Sequence, residues 1–379
     1  MPELPEVETV ARGLQARVAG RRIVSVTLRQ TDFIDDPVAI ERELPGRTIE
    51  RIERFGKFML LRLTEVREET EKIATESQRH REKDAKRNAS EKTDGREDTP
   101  RRKTEARDGR GEGTKSSRSR ENERALLVHL GMTGNLAPHF AEQPLVKHTH
   151  VTFLLDDGRE LRYIDPRRFG RMAYLSGETL AAELLRFGAD PLLVTAAEFA
   201  ARIRGSRARI KALLLDQSVL RGVGNIYADE SLWKTKIHPA KKGGQLKREE
   251  TNRLLAALKK ILQKAIEMRG SSISDFVDAD GFAGDYQQHH KVYGRDGKKC
   301  FRCGAKIRWM VVAGRSSHYC AVCQRAPRGV KRLRKSVRGD GDAPERRRQA
   351  AALQERAPRG VTARRKKTKR EGRVGTSKR

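Results

Sequence analysis

The chain has 379 residues, of which 36% are hydrophobic and 35% charged, and its formal net charge is +31. So charged a composition argues that part of the chain does not fold. No apolar run approaches the roughly 18 residues of a membrane span. The opening Met-Pro-Glu-Leu-Pro-Glu lacks the basic start and apolar centre of a signal peptide, so a cytoplasmic protein without membrane contact is expected.

A short helix is predicted from Pro5, with Val7, Val10, Leu14 and Val18 along one side. β-rich runs follow at 23–28, 48–52, 58–63, 126–130, 151–155, 160–164 and 172–175. Turn signals such as Asp157-Gly158 separate some of them, which favours an antiparallel sandwich or barrel. Residues 65–124 interrupt the set with 18 Lys/Arg, 16 Asp/Glu and no aromatic residue. Their only hydrophobic residues are Val66, Ile73, Ala74, Ala85, Ala89 and Ala106. Such a segment cannot bury enough apolar surface to offset the entropy of ordering it, and a disordered insertion at a loop tip is expected. Its Glu/Lys/Arg content leaves a solvated single helix over about 65–90 as the alternative.

From about Glu178 the pattern turns helical. It is clearest over 247–269, where Leu254, Leu255, Leu258, Ile261, Leu262, Ala265 and Ile266 form one apolar stripe. A glycine-rich loop over 281–297 leads into the cysteines. Residues 326–379 then carry 20 Lys/Arg against five acids, in blocks such as Arg364-Arg365-Lys366-Lys367, and read as a basic tail for polyanions.

The four cysteines fall as Cys300-x2-Cys303-x16-Cys320-x2-Cys323. Each close pair can present two thiolates to one ion, and two pairs complete a tetrahedral site with Zn–S bonds of about 2.3 Å. One structural Zn2+ is expected; redox dithiols would need a thioredoxin-like context that is absent. At the other end, Pro2 follows a Met that processing can remove. That would expose a secondary amine with a reference pKa of about 7.7–8.0. A helix start nearby disfavours its ammonium form. The neutral amine is a nucleophile able to attack a sugar C1′ and form an iminium. Glu3 beside it suits proton transfer at the sugar oxygen. Taken alone, Pro2 reads rather as a stiff chain start, Lys57 as a solvated lysine, and Met132 and Phe169 as core residues. Gly222-Val223-Gly224-Asn225 lies between helical segments, where it can bring backbone amides to a phosphate, form a tight interhelical turn, or both.

Met1-Pro2-Glu3-Leu4-Pro5-Glu6-Val7-Glu8-Thr9 resembles the N-terminal signature of the formamidopyrimidine-DNA glycosylases. His129-Leu130-Gly131-Met132-Thr133-Gly134, Asp165-Pro166-Arg167-Arg168-Phe169-Gly170, Gly222-Val223-Gly224-Asn225-Ile226-Tyr227-Ala228, Val292-Tyr293-Gly294-Arg295 and the finger ending Cys323-Gln324 resemble five further motifs, in the family's order. The resemblance implies an α+β chain: an N-terminal helix plus antiparallel β-sandwich, a helix–two-turns–helix domain, and a C-terminal β-hairpin zinc finger. The expected domains are 2–176 (catalytic, carrying the insertion), 177–280 (DNA-binding), 281–325 (lesion loop and finger) and 326–379 (tail).

The implied activity is a bifunctional glycosylase and AP lyase, acting as a monomer on oxidised purines in double-stranded DNA. Pro2 would be its nucleophile, Glu3 its general acid–base, and Lys57 a phosphate contact that also donates a proton to the opening sugar. Glu6 belongs to the same neighbourhood in the family, or is simply a helix-start carboxylate. Met132, Arg167 and Phe169 match the residues that fill the gap left by an extruded nucleotide. Lys211, Asn225 and Arg315 match phosphate ligands. Two rivals stand beside this reading: an endonuclease VIII-like enzyme for oxidised pyrimidines, and a non-catalytic zinc-ribbon protein whose charge binds nucleic acid.

Overall fold

The computed structural model describes residues 1–64, 123–272 and 281–327. The expected insertion, its helical alternative and the basic tail lie outside them, except for a few edge residues. One of those edges is corrected. Arg124 already opens a strand and Glu123 pairs with Arg62 at 3.3 Å, so both belong to the sheet rather than to the insertion.

Helix α1 (Leu4–Val18) begins one residue before the predicted start. Pro5 sits in its first turn, and the Glu6 carboxylate accepts from the Glu3 backbone N–H at 2.9 Å. Strand β1 (Ile23–Leu28) and helix α2 (Pro37–Glu43) follow. No apolar period marks α2 in the sequence, although Asp36 accepts from the Ala39 N–H and Pro37 opens the first turn. The strands β2 (Ile49–Phe55), β3 (Phe58–Leu63), β4 (Arg124–His129) and β8 (Arg171–Ser176) form one antiparallel sheet in that order. The second sheet runs β1, β6 (Thr149–Leu155), β7 (Arg159–Ile164) and β5 (Asn135–Phe140). β5 was missed because Pro138 interrupts its pattern; proline is tolerated there because β5 is an edge strand.

Met59, Leu61 and Leu63 face the sandwich interior with Leu126, Val128, Phe153 and Leu161, and α1 adds Val7, Val10, Leu14 and Val18. The alternate residues Leu60 and Leu127 pack with Leu180 of helix α3 (Gly177–Leu185) on the opposite face. Burial on both faces explains why β3 reads as a continuous apolar run rather than an alternation.

The helical part holds α4 (Ala196–Ile203), α5 (Ile210–Leu215), α6 (Asn225–Lys234) and α7 (Arg248–Glu267). The stripe predicted for α7 is buried at Leu254, Leu255, Leu258, Leu262 and Ala265. Each buried leucine contributes about 1.5–3 kcal/mol, more than helix propensity can supply. Leu4 joins this second core, while Val7 and Val10 belong to the first, so α1 stitches the two together. The finger is a hairpin of β9 (Ile307–Val312) and β10 (Arg315–Cys320), turned at Ala313-Gly314 with φ of 50° and 73°. Among the described residues, no helix is long and apolar enough to cross a membrane.

Candidate active site and nucleic-acid interface

The N-terminal residues run between two loops that meet because both carry glycine. Gly56-Lys57 turns the β2–β3 hairpin, with Gly56 at φ +66°. A Cβ on Gly222 would lie 3.0 Å from Leu4 and 3.1 Å from the Gly56 carbonyl oxygen, and one on Gly224 would collide with the Glu3 carboxyl. These glycines therefore make room for the N-terminal segment. The Leu4 N–H donates to the Gly222 carbonyl at 3.0 Å. Around the hairpin, Arg54 pairs with Glu8 at 2.6 Å and with Asp190 at 2.8 Å, and Arg221 lies over Phe55 at 4.3 Å. That clamp fixes where Lys57 emerges.

Pro2, Glu3, Glu6 and Lys57 are all buried. Glu3 accepts from the Ile226 N–H at 3.0 Å, at the start of α6 where the helix dipole favours an anion. Desolvation nevertheless dominates and, with Lys57 opposing it, pushes the Glu3 carboxyl up to about 7. Burial also holds the amine of Met1, next to Pro2, below its ordinary 8.0 and Lys57 below its ordinary 10.5; Arg315 lowers both further, while Glu3 and Glu6 oppose. The structure thus brings the N-terminus, Glu3, Glu6, Lys57 and Arg315 into one electrostatic neighbourhood. A carboxylic acid drawn toward neutrality beside the chain start suits proton transfer near pH 7.

Glu6 is more than a helix-start carboxylate. It accepts from the Tyr227 hydroxyl and from the Ser271 N–H, each at 2.6 Å, and Ser271 Oγ in turn lies 3.1 Å from His290 Nε2. Tyr227 belongs to the Gly222–Ala228 motif, but Ser271 and His290 carry no sequence signal.

Met132, Arg167 and Phe169 come together on two adjoining loops. An Arg167 guanidinium nitrogen lies 3.8 Å from the Met132 sulfur, and the guanidinium sits 5.3 Å from the Phe169 ring centre. Arg167 is exposed and Phe169 is 38% exposed, so this is a surface cluster rather than core. Phe58 and His129 are partners across β3 and β4, which sets the loop after His129 beside the hairpin that carries Lys57.

Lys211 requires a correction. Its side chain is fully buried, with the ammonium 2.7 Å from Asp229 and donating to the Ser316 carbonyl at 2.7 Å. A side chain without exposed surface cannot touch a surface phosphate, so Lys211 ties α5 to α6 and β10 instead. Asp229 completes the tie by accepting from the His318 N–H at 2.8 Å. Asn225 heads α6, and its amide nitrogen lies 3.4 Å from Ser316 Oγ, next to Arg315 at the finger tip. Glu230, unnoticed in the sequence, accepts from the Lys291, Val292 and Tyr293 N–H groups, each at 2.9 Å, and so anchors the Val292–Arg295 motif to α6.

The four cysteine sulfurs lie within 4.8 Å of one another. A tetrahedron with Zn–S bonds of about 2.3 Å has edges of about 3.8 Å, so the cluster is positioned to bind one metal ion with no open coordination site. Gln324 braces it by accepting from the Cys320 N–H and donating to the Ile237 carbonyl.

Comparison with known proteins covers nearly all of the described chain. Residues 1–172 match the formamidopyrimidine-DNA glycosylase N-terminal domain, 187–277 the H2TH domain of the same enzymes, and 297–326 the zinc finger found in FPG and IleRS. A formamidopyrimidine-DNA glycosylase of Herpetosiphon aurantiacus is 36% identical over 329 residues, covering 86% of this chain and 100% of the relative. One of Symbiobacterium thermophilum is 35% identical over 350 residues, covering 90% and 96%. The Lactococcus lactis Fpg bound to abasic-site DNA superposes with a TM-score of 0.66 at 31% identity, covering 86% of this chain and 100% of that one. Another complex of the Lactococcus enzyme contains oxidised-pyrimidine DNA and gives the same TM-score at 30% identity over the same shares of both chains.

Proposed function

The chain belongs to the formamidopyrimidine-DNA glycosylase family, and from that premise we propose that it is a bifunctional DNA glycosylase and AP lyase of base-excision repair. Its substrates are oxidised purines, 8-oxoguanine and formamidopyrimidines, in double-stranded DNA. Removal of Met1 exposes the Pro2 amine. Its lone pair forms a bond to C1′ of the extruded nucleotide, and the glycosidic bond breaks with its electron pair leaving on the base. Glu3 delivers a proton to the sugar ring oxygen as the ring opens, with Lys57 beside it. The resulting iminium acidifies C2′, and successive loss of the 3′ and 5′ phosphates breaks the strand. Met132, Arg167 and Phe169 occupy the vacancy in the duplex, while Asn225 and Arg315 hold phosphates. The metal supplies structure to the finger. The protein acts as a monomer, since one chain supplies every group, and it works in the cytoplasm at the nucleoid.

The observation that carries this reading is the pocket that buries Pro2, Glu3, Glu6 and Lys57 together and, by desolvation, raises the Glu3 carboxyl to about 7. A non-catalytic zinc ribbon accounts for the charge but not for that pocket. The oxidised-pyrimidine complex of the Lactococcus enzyme favours testing a pyrimidine lesion alongside 8-oxoguanine. Mass spectrometry should show the chain starting at Pro2, and borohydride should fix it covalently to duplex DNA containing 8-oxoguanine. Pro2→Gly should trap far less. An undiminished adduct that maps to a lysine removes Pro2 from the mechanism.

A further inference from the structure

We infer that Asp165 is a positioning residue: its buried carboxylate assembles the two loops that present Met132, Arg167 and Phe169, with Thr133 and Tyr163 acting through it. The inference rests on the proposed entry of those three side chains into the duplex.

Asp165 has no exposed surface, and both its oxygens are fully engaged. Oδ1 accepts from the Thr133 hydroxyl at 2.6 Å and from the Arg167 N–H at 3.1 Å. Oδ2 accepts from the Gly170 N–H at 3.1 Å and from the Tyr163 hydroxyl at 3.2 Å. Thr133 is the neighbour of Met132, and Arg167 and Gly170 bracket Phe169. One carboxylate thus holds the chain immediately beside each of the three side chains. Its own backbone is fixed as well: the Asp165 N–H donates to the His148 carbonyl at 3.1 Å, and the Asp165 carbonyl accepts from His150 Nε2 at 2.9 Å.

The space around the carboxylate leaves little play. A Cβ on Gly131 would collide with the Phe169 backbone, one on Gly134 would lie 2.7 Å from the Tyr163 hydroxyl oxygen, and one on Gly170 would collide with that oxygen. The two loops are in close contact around a single anion. Charge-assisted bonds are the strong ones, and a donor lost from a buried anion is not replaced by water. These groups touch neither the N-terminal amine nor Glu3, so the geometry assigns them to holding the duplex open rather than to bond breaking.

The test separates these two tasks. Thr133→Val removes one donor at nearly constant volume, Thr133→Ser keeps it, and Tyr163→Phe removes a second donor at the other oxygen. With an 8-oxoguanine duplex, kcat/KM should fall about tenfold or more in Thr133→Val and in Tyr163→Phe, and recover in Thr133→Ser. The fluorescence rise of 2-aminopurine placed opposite the lesion should shrink in parallel. Strand cleavage at an abasic site in a single-stranded oligonucleotide, where no opposite base must be accommodated, should stay at the parent rate in all three. Equal losses on both substrates would reduce Asp165 to a general fold element, and a parent-like Thr133→Val would overturn the assignment. Phe169→Ala is the control for the underlying reading. If it leaves the 2-aminopurine signal intact, the duplex-entry reading falls and this inference with it. If it abolishes the signal while Thr133→Val does not reduce it, only the role given to Asp165 falls.

Discussion

At Glu3, burial and chemistry act on the same carboxyl. Its folded value of about 7 lies above the ordinary 4.5, so folding favours its protonated form. Well below pH 4.5 the group is protonated in both states and costs nothing. The cost grows as pH rises from 4.5 to 7 and is complete above 7, where a shift of this size corresponds to roughly 3 kcal/mol. Glu3→Gln should abolish excision yet stabilise the fold, with an advantage over the parent that is small at pH 5 and reaches about 2–3 kcal/mol at pH 8. Chemical denaturation of both proteins at the two pH values decides it; parallel pH dependences would mean that Glu3 does not titrate in this range. Pro2 and Glu3 were legible through the N-terminal motif shared with the family, and the cysteine cluster was legible from residue type and spacing. Lys211 was not, since nothing in its neighbours along the chain announces that Asp229 will bury it. Asp165 opens the Asp165–Gly170 motif, but its four donors come from different loops and strands, and only the fold brings them together.

Among the elements, β3 and α7 were readable from apolar continuity and from a helical stripe. β5 was hidden by Pro138, and α2 is too short to show a period, although its cap residues were visible. The finger is the element whose loss should spread furthest. Trp233 of α6 packs with Cys300 and Cys320, Arg302 lies over the Trp233 ring at 4.2 Å, and Glu230 holds the approach to the first cysteine pair. The opposite end of α6 supplies the Ile226 N–H to Glu3. Cys320→Ala should therefore release the one equivalent of zinc, measured by elemental analysis, and abolish binding to lesion DNA. Full lesion binding by a metal-free preparation would contradict the structural role of the finger.

For the whole molecule, about half of the +31 charge lies where the sequence has no apolar pattern, in residues 326–379 with their 20 Lys/Arg against five acids. Each phosphate neutralised changes the slope of log K against log salt by about −0.9. A chain ending at residue 325 should show a shallower slope and weaker binding to undamaged duplex, while its preference for lesion DNA survives. Titrations at several salt concentrations test this, and identical slopes would show that the tail does not touch DNA. The threading of the first residues between the Gly56 turn and the Gly222 loop has a consequence in time. Glu3 finds its partner 223 residues further along the chain, and Glu6 finds one 265 residues away. A ribosome must deliver most of the protein before the amine acquires its surroundings. The reactive centre is therefore among the last parts of the fold to be finished, and a nascent or truncated chain carries the nucleophile without the pocket that tunes it.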